Sequence, residues 1–262
     1  MDVDHETKSA KNGQKNLGGR LIDIMEAVVD AGEPVGPRGL ARTVGIDRSA
    51  VWRVLQQLTE LGILERREEG YIPGPRLFYI GRLLGARDTL PTAARSILNS
   101  LVAQFDETCY VCTLHGDSIV FLYEVQSSHP VRYVIDIGKP SPLHAGAAGR
   151  AILAGLTAEE ASEILTRVDL TALTPRTIRD TDILLRMAAE DADRGYTVSL
   201  EERVPGGSAV AAPFFDGSGR CQGSVVFTCP AVRFDVERSE EIGKAVRAAA
   251  DALSARLGYQ VG

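Results

Sequence analysis

The sequence predicts an α+β chain with a small helical domain at its N-terminus and a larger domain of mixed strands and helices behind it. Three observations support this prediction. Three amphipathic helix patterns and a β-hairpin pattern fill residues 19–75. After residue 91, β-branched strand runs alternate with helical patterns and glycine turns. The length of 262 residues also suits two domains better than one.

The composition describes an ordinary folded protein. Hydrophobic residues make up 44% and charged residues 24% of the chain, which is enough apolar material for two cores. No run approaches the roughly 18 apolar residues of a membrane helix, and the polar first residues lack the apolar core of a signal peptide. We therefore expect a cytoplasmic protein with no membrane partner.

The negative charge of the chain is unevenly distributed. Residues 18–90 carry ten arginines and ten acidic groups, whereas residues 91–262 carry sixteen basic and twenty-two acidic groups and hold the whole net charge of −6. The N-terminal part is therefore less acidic than the rest, but it is no general polyanion binder. Any affinity for DNA has to come from arginines placed on one face.

Three helices are predicted in the N-terminal part, at residues 21–29, 38–43 and 48–61. Gly45 and Ile46 form a tight turn between the second and the third. Asp47 is a good N-cap for the third helix, and Gly62 ends it.

The third helix has two different faces. Its buried stripe is predicted to be Val51, Leu55 and Leu58, with Val54 and Leu61 beside it. The opposite side carries Arg48, Ser49, Trp52, Arg53, Gln56 and Gln57. Arginine, hydroxyl and amide side chains are donors suited to phosphates and base edges, so the pair of helices predicts a helix-turn-helix. The alternative is a solvated face of some other small helical domain.

A hairpin at residues 63–73, with Gly70 at its turn, favours the DNA-binding interpretation, because a hairpin directly after a recognition helix is a wing. Arg66 and Arg67 are expected on this wing near the DNA backbone, and Arg38 on the same DNA-facing surface. Residues 76–84 then form an amphipathic helix with large apolar groups, which we expect to pack against its counterpart in a dimer.

The N-terminal part resembles the DNA-binding half of IclR-family transcription regulators. The resemblance rests on D-R-S-A-V-W-R-V-L at residues 47–55 and G-Y-I-P-G-P-R-L at residues 70–77, and it runs without a gap across residues 19–85. The predicted organisation is a polar tail (1–18), a winged helix-turn-helix domain (19–75), a linker and dimerisation helix (76–90) and an effector-binding domain (91–262).

The larger domain is predicted to be an antiparallel sheet flanked by helices. Strands are expected at residues 109–114, 119–125, 131–137, 196–200, 207–215 and 223–229. Helices are expected at residues 94–106, 147–154, 159–165, 182–194 and 237–257. Cys109 and Cys112 have the C-x-x-C spacing of metal and redox sites, but three residues apart on a strand they point to opposite faces, so inert buried thiols are favoured.

Residues 142–151, P-L-H-A-G-A-A-G-R-A, run from an extended piece into a helix with almost only small side chains at the junction. The free N–H groups of Ala147, Ala148 and Gly149 would suit a carboxylate or phosphate. Close packing of the helix on the sheet would require the same small residues, so the pattern alone leaves both interpretations open.

The same segment resembles the stretch that lines the effector pocket of IclR-type domains, whose fold is similar to GAF sensor domains. P-G-G-S-A-V-A-A-P at residues 205–213 matches a second motif of that family. The resemblance implies a pocket lined by Leu143, Ala147, Ala148, Leu200, Ala209, Ala211, Val226 and Thr228. Val226 stands where relatives that bind keto acids tend to have a hydroxyl, which implies a larger or more apolar acid, such as an aromatic or acyl carboxylate.

The expected function is therefore transcription regulation by a homodimer, with further pairing into a tetramer left open. Its partners would be double-stranded DNA with a pseudo-palindromic operator and a small-molecule effector, and no cofactor is expected. One alternative is a regulator whose larger domain only oligomerises. The other is an enzyme with His144 as a general base beside Glu201 or Asp136, although the sequence lacks the usual catalytic motifs.

Overall fold

The computed structural model describes residues 17–85 and 90–260, and of residues 84 and 85 only the backbone. Most of the predicted tail (1–18) and the end of the predicted linker (76–90) lie outside the described residues. The chain divides into two compact units, residues 1–88 and 89–262. Helices and strands of the first unit are α1 (Leu17–Ala31), α2 (Pro37–Val44), α3 (Arg48–Glu60), β1 (Leu64–Arg66), β2 (Tyr71–Pro73) and α4 (Pro75–Gly85).

The predicted helix-turn-helix is confirmed. Gly45 adopts a left-handed conformation with a φ of 71° and ends α2, and the Asp47 carboxylate accepts a hydrogen bond from the Ala50 N–H at the start of α3. The core of this unit is formed by Ile24, Val28, Leu40, Val44, Val51, Val54, Leu55, Leu58, Leu64 and Tyr71. The prediction that Leu61 lies beside the buried stripe was wrong. The helix ends at Glu60 and Gly62 turns the chain, which leaves Leu61 52% exposed.

The predicted wing is also present. β1 and β2 pair antiparallel, with Glu65 opposite Ile72. Gly70 ends the turn where the chain meets the backbone of Val35, and a Cβ at this position would lie 2.6 Å from the Val35 carbonyl carbon. Only glycine fits this approach, which anchors the wing to the segment before α2.

The second unit is a six-stranded antiparallel sheet with helices on both faces. Its strands run in the order β5-β4-β3-β8-β7-β6. They are β3 (Thr108–His115), β4 (Ser118–Val125), β5 (Pro140–Pro142), β6 (Thr197–Leu200), β7 (Gly207–Phe215) and β8 (Cys221–Pro230). Its helices are α5 (Leu90–Phe105), α6 (Ala147–Gly155), α7 (Ala158–Leu165), α8 (Thr181–Arg194) and α9 (Ser239–Arg256).

The two faces of this sheet bury different cores. One core lies under α5 and α9 and contains Cys109, Val210 and Phe227. The other lies under α6 and α8 and contains Cys112 and Val226. Cys109 and Cys112 thus point to opposite faces of the sheet, as predicted.

The prediction of a strand at residues 131–137 was wrong. This segment runs outside the sheet, and the short strand β5 pairs with β4 in its place. The segment is held by separate hydrogen bonds, from the Tyr110 hydroxyl to the Tyr133 carbonyl, from the Tyr133 hydroxyl to the Pro205 carbonyl and from Arg233 Nη1 to the Val131 carbonyl. Val131 and Val134 are exposed, so these apolar side chains do not pack on a face of the sheet. In the described ranges, no helix is long and apolar enough to cross a membrane.

Candidate DNA-binding surface and effector pocket

The exposed face of α3 brings most of the predicted DNA-binding residues together. Arg48, Ser49, Trp52 and Arg53 border one shallow depression. Trp52 and Gln56 border a second depression together with Arg66 of the wing. The recognition helix and the wing therefore form one continuous surface of donor groups.

The remaining predicted residues of this surface differ in their surroundings. Arg38 is exposed at the start of α2 and lies outside both depressions. Arg67 is paired with Glu65, with its Nη2 atom 2.8 Å from the carboxylate. The Ser49 hydroxyl donates a hydrogen bond to Asp47, which lowers the pKa of that carboxyl, so Asp47 remains an ionised cap.

The second unit contains a cavity of about 380 Å³ between the start of α6, the sheet and the segment before β5. It is lined by apolar groups, hydroxyls and a few charged groups. Its lining residues are Phe121, Tyr133, Val134, Ile135, Asp136, Lys139, Pro140, Ser141, Ala145, Gly146, Ala147, Ala148, Ser199, Arg203, Val204, Gly207, Ser208, Ala209, Val226 and Thr228.

Five of the eight predicted pocket residues line this cavity, namely Ala147, Ala148, Ala209, Val226 and Thr228. The other three do not. Leu200 lies on the opposite face of the sheet, where it packs in the core under α5 and α9, because the chain alternates between faces along β6. Leu143 and Ala211 are fully buried in the core under α6.

The small residues at the start of α6 both pack against the preceding segment and line the cavity. A Cβ at Gly149 would lie only 1.7 Å from the Leu143 carbonyl oxygen, so Gly149 is required for packing. Ala147 and Ala148 face the cavity. Gly146, with a φ of 93°, begins the helix without a side-chain cap, so the first N–H groups of α6 are free to meet a ligand.

Arg203 is one of the charged residues that line the cavity. Its side chain runs past Gly146, and its Nη2 donates a hydrogen bond to the Ser141 hydroxyl at 2.8 Å. The guanidinium carbon lies 5.5 Å from the centre of the Phe121 ring. Its Nη1 is buried and has no hydrogen-bond partner, and burial lowers the pKa of the group.

Arg150, one turn into α6, has the opposite surroundings. Its Nε lies 2.8 Å from Asp191, its Nη1 lies 2.8 Å from Glu202, and its Nη2 donates to the Val198 carbonyl. Burial by itself would lower the pKa of Arg150, but the charges of Glu202 and Asp191 outweigh it and raise the pKa. This buried network joins α6 to α8 and to the turn after β6.

His144 is buried, and its Nε2 lies 2.9 Å from the Thr171 carbonyl. Glu201 bonds to the Gly206 N–H and Asp136 to Lys139, so neither carboxylate is hydrogen-bonded to His144. The cysteines are unpaired, and burial raises the pKa of Cys112 to about 11. Among the described residues, no three His, Cys, Asp or Glu side chains are grouped to hold a metal ion.

Arg203, Ser199 and Tyr133 line the cavity but were not predicted from the sequence. Arg203 follows two glutamates, and such a run of charged residues is typical of a solvent-exposed segment. Ser199 would have been predicted in the cavity if Leu200 had been placed on the opposite face of the sheet. The run T-V-S-L has small or apolar residues at all four positions, so it does not show which of them face the cavity. Nothing in the pattern marked Tyr133, which lies in the segment predicted as a strand.

A winged helix-turn-helix with a donor-rich recognition helix, followed by a separate domain with a ligand-sized cavity, defines a two-domain transcription regulator.

Comparison with known proteins gives the family. Residues 19–68 match the IclR helix-turn-helix domain, and residues 86–255 match the bacterial transcriptional regulator IclR C-terminal domain. The regulator KdgR of Escherichia coli is 30% identical over 260 residues, covering 98% of this chain and 97% of KdgR. The chain therefore belongs to the IclR family of bacterial transcription regulators.

Solved structures agree with this assignment. The IclR structure of Thermotoga maritima is 26% identical with a TM-score of 0.77, covering 92% of this chain and 98% of that one. An IclR homologue from Microbacterium hydrocarbonoxydans, in complex with 4-hydroxybenzoate, is 21% identical with a TM-score of 0.74 over 92% of this chain and 99% of that one. The predicted α+β fold and the predicted family are thus confirmed.

Proposed function

We propose that this protein binds a pseudo-palindromic operator as a homodimer and that a small organic acid in the cavity of the second unit changes its affinity for DNA. The cavity at the uncapped start of α6 carries this proposal. Its size suits a compact organic molecule, and its lining combines apolar groups with a few polar ones, as in small-molecule sites generally. Because its DNA target lies in the bacterial cytoplasm, the protein would act there.

The DNA-binding role is assigned to the surface of Arg48, Ser49, Trp52, Arg53, Gln56 and Arg66, with Arg38 and Arg67 contacting phosphates at its edges. In this arrangement α3 enters the major groove and the wing lies along the backbone. Arg53 is the central cation of the α3 face and would contact a base edge or the adjoining phosphate. Each dimer would place two such helices in successive major grooves.

The test is fluorescence anisotropy with DNA from upstream of the protein's own gene, against a scrambled fragment, at several salt concentrations. Arg53→Ala should weaken binding to the native fragment by about 5- to 150-fold, the range for loss of one base contact. Arg220→Ala, an exposed arginine of the second unit, is the matched control and should change nothing. An unchanged dissociation constant for Arg53→Ala would remove Arg53 from the interface.

Dimerisation is assigned to α4. Phe78 is 68% and Tyr79 54% exposed on this helix, and Ile80 and Leu83 lie exposed beside them. Exposed apolar groups of this size on one short helix favour a partner helix. Light scattering should report a dimer or larger assembly that Phe78→Glu weakens. A wild-type monomer at micromolar concentration would contradict the assignment.

A second candidate function keeps DNA binding and makes the larger domain an oligomerisation platform only. The two are separated by thermal unfolding in a panel of small carboxylic acids, where a ligand at about 100 times its dissociation constant adds roughly 2.7 kcal/mol to the folded state. Ala148→Trp should remove the effector response and retain DNA binding. Ala209→Leu narrows the same cavity from the strand β7, in case the tryptophan disturbs α6.

The proposed activity involves no catalysis. The hydrogen bond of His144 Nε2 to the Thr171 carbonyl favours a structural role for this histidine. The relatives named above are regulators. Turnover of a bound acid by the pure protein, lost in His144→Ala, would contradict this part of the proposal.

A further inference from the structure

We propose that Arg203 is the residue that recognises the acid group of the effector and that it makes the pocket selective for monocarboxylates over their neutral analogues. The inference rests on the proposed function and deepens it, since it assigns the charge specificity of that pocket to one side chain.

Arg203 has a guanidinium nitrogen without a partner. The Nη1 atom of Arg203 is buried without a hydrogen bond, although a buried donor of this kind is normally satisfied. Within the ranges that the structure describes, no carboxylate lies within salt-bridge distance of Arg203. The neighbouring Glu202 is turned away and bonds to Arg150, so it leaves Arg203 without a counter-charge.

Arg203 also lies beside the start of α6. The Cβ of Arg203 lies 3.3 Å from where a Cβ of Gly146 would be, so the stem of the side chain crosses the N-cap of the helix. Helix N-termini carry partial positive charge, and α6 has no side-chain cap to offset it. A guanidinium and a positive helix end thus adjoin the same cavity, which is favourable once an anion lies between them.

The backbone that carries Arg203 is preorganised. Arg203 lies on a turn held by hydrogen bonds from the Glu201 N–H to the Gly207 carbonyl and from the Gly207 N–H to the Val204 carbonyl. The Thr177 hydroxyl donates to the Glu202 carbonyl at 2.6 Å and fixes the turn from the other side. A fork of donors held in place in this way recognises a planar carboxylate well.

The lining selects the class of anion. Lys139 and Asp136 form an exposed pair with each other 3.3 Å apart, which leaves Arg203 as the cavity's one cation without an acidic partner among the described residues. A single guanidinium matches one negative charge better than the two of a phosphate monoester. Phe121, Val226 and Ala209 supply apolar surface for the body of the molecule.

Thermal unfolding of the full-length protein in matched pairs of probes tests the inference. Each acid, such as benzoate, phenylacetate or butyrate, is compared with its primary amide, and benzyl phosphate is added as a dianion. Acids should stabilise the wild type and their amides should not. For the best acid, Arg203→Met should raise the dissociation constant measured by calorimetry about 30-fold or more.

Two further variants make the result specific. Arg203→Lys keeps the charge without the fork and should restore part of the affinity, whereas the exposed Arg220→Met should bind as the wild type does. Acid binding that survives Arg203→Met, or equal binding of acids and amides, overturns the role of Arg203 and leaves the pocket standing. Binding of the phosphate alone overturns the monocarboxylate class. No stabilisation by any probe overturns the inference together with the effector function.

Discussion

Arg150 lies on α6 and Arg203 beside the start of the same helix, and the two differ in what surrounds their guanidinium groups. Arg150 is fully buried, with Asp191 and Glu202 as partners. Arg203 has one hydroxyl, one aromatic ring and an unsatisfied nitrogen. The first arrangement satisfies its charge within the protein. The second leaves charge available for a molecule from outside.

The difference teaches how a sensor domain divides structural and recognition roles between like residues. A buried cation that is fully paired stabilises the fold. Its removal leaves two buried carboxylates without a counter-charge. A cation without a partner adds little to the fold and costs energy in the empty pocket. Its position beside the positive end of a helix is explained by ligand recognition better than by stability.

The largest expected effect is on the paired arginine. Arg150→Met should lower the free energy of unfolding by about 3–5 kcal/mol, since Asp191 and Glu202 then lose their common partner. At roughly 2–4 °C per kcal/mol for a unit of this size, the Tm should fall by roughly 6–20 °C. Urea unfolding followed by circular dichroism measures this, with Arg220→Met as the surface control. A loss below about 1 kcal/mol would show that the network is not needed for stability.

A double-mutant cycle tests which of the two arginines interacts with Glu202. The pair Arg150→Met and Glu202→Gln should show a coupling energy of about 1–3 kcal/mol, as residues in one buried network do. The pair Arg203→Met and Glu202→Gln should be additive within about 0.5 kcal/mol. The same unfolding measurements supply all the values. Strong coupling between Glu202 and Arg203 would mean that Arg203 has a counter-charge in solution after all.

The unpaired arginine should matter little to the empty protein. Arg203→Met removes one hydrogen bond and one cation–π contact, and it also removes the cost of a desolvated charge. We expect the free energy of unfolding to change by about 1 kcal/mol or less. Side-by-side denaturation with Arg150→Met gives the answer. Equal losses in the two variants would contradict the division of roles.

The smallest effect concerns simple anions. An anion present at its dissociation constant stabilises the folded state by about 0.4 kcal/mol. Acetate should therefore raise the Tm of the wild type slightly more than that of Arg203→Met, at constant ionic strength. Differential scanning fluorimetry with acetamide as the neutral control measures the difference. The same shift in both proteins would show that acetate acts elsewhere.

Much of the fold could be predicted from local sequence patterns. Asp47 and Gly45 mark helix ends through side-chain and backbone chemistry that needs no tertiary context, and the alternation of β3 and β7 is fixed by buried faces. Residues 131–137 misled the analysis because alternating apolar residues also occur in a segment that covers a cavity. Leu61 was misplaced because burial at a helix end depends on neighbouring elements.

The candidate site was only partly predictable for related reasons. Ala147 and Ala148 stood out because small residues at a helix start have a physical meaning in themselves. Arg203 did not, because its role depends on Glu202 turning toward Arg150, a contact between positions 52 residues apart. Ser199 and Leu200 point to opposite faces of the sheet, and which of them faces the cavity is likewise set by the pairing of β6 with β7.

The turn of Glu202 and Arg203 also bears on how such a sensor could change over evolutionary time. Two adjacent residues face in opposite directions, so a new side chain at position 203 can alter ligand preference while Glu202 continues to pair with Arg150 of α6. An insertion or deletion within the turn would exchange the two directions and disturb both roles at once. New ligand classes are therefore more accessible to this scaffold through point substitution than through changes of loop length.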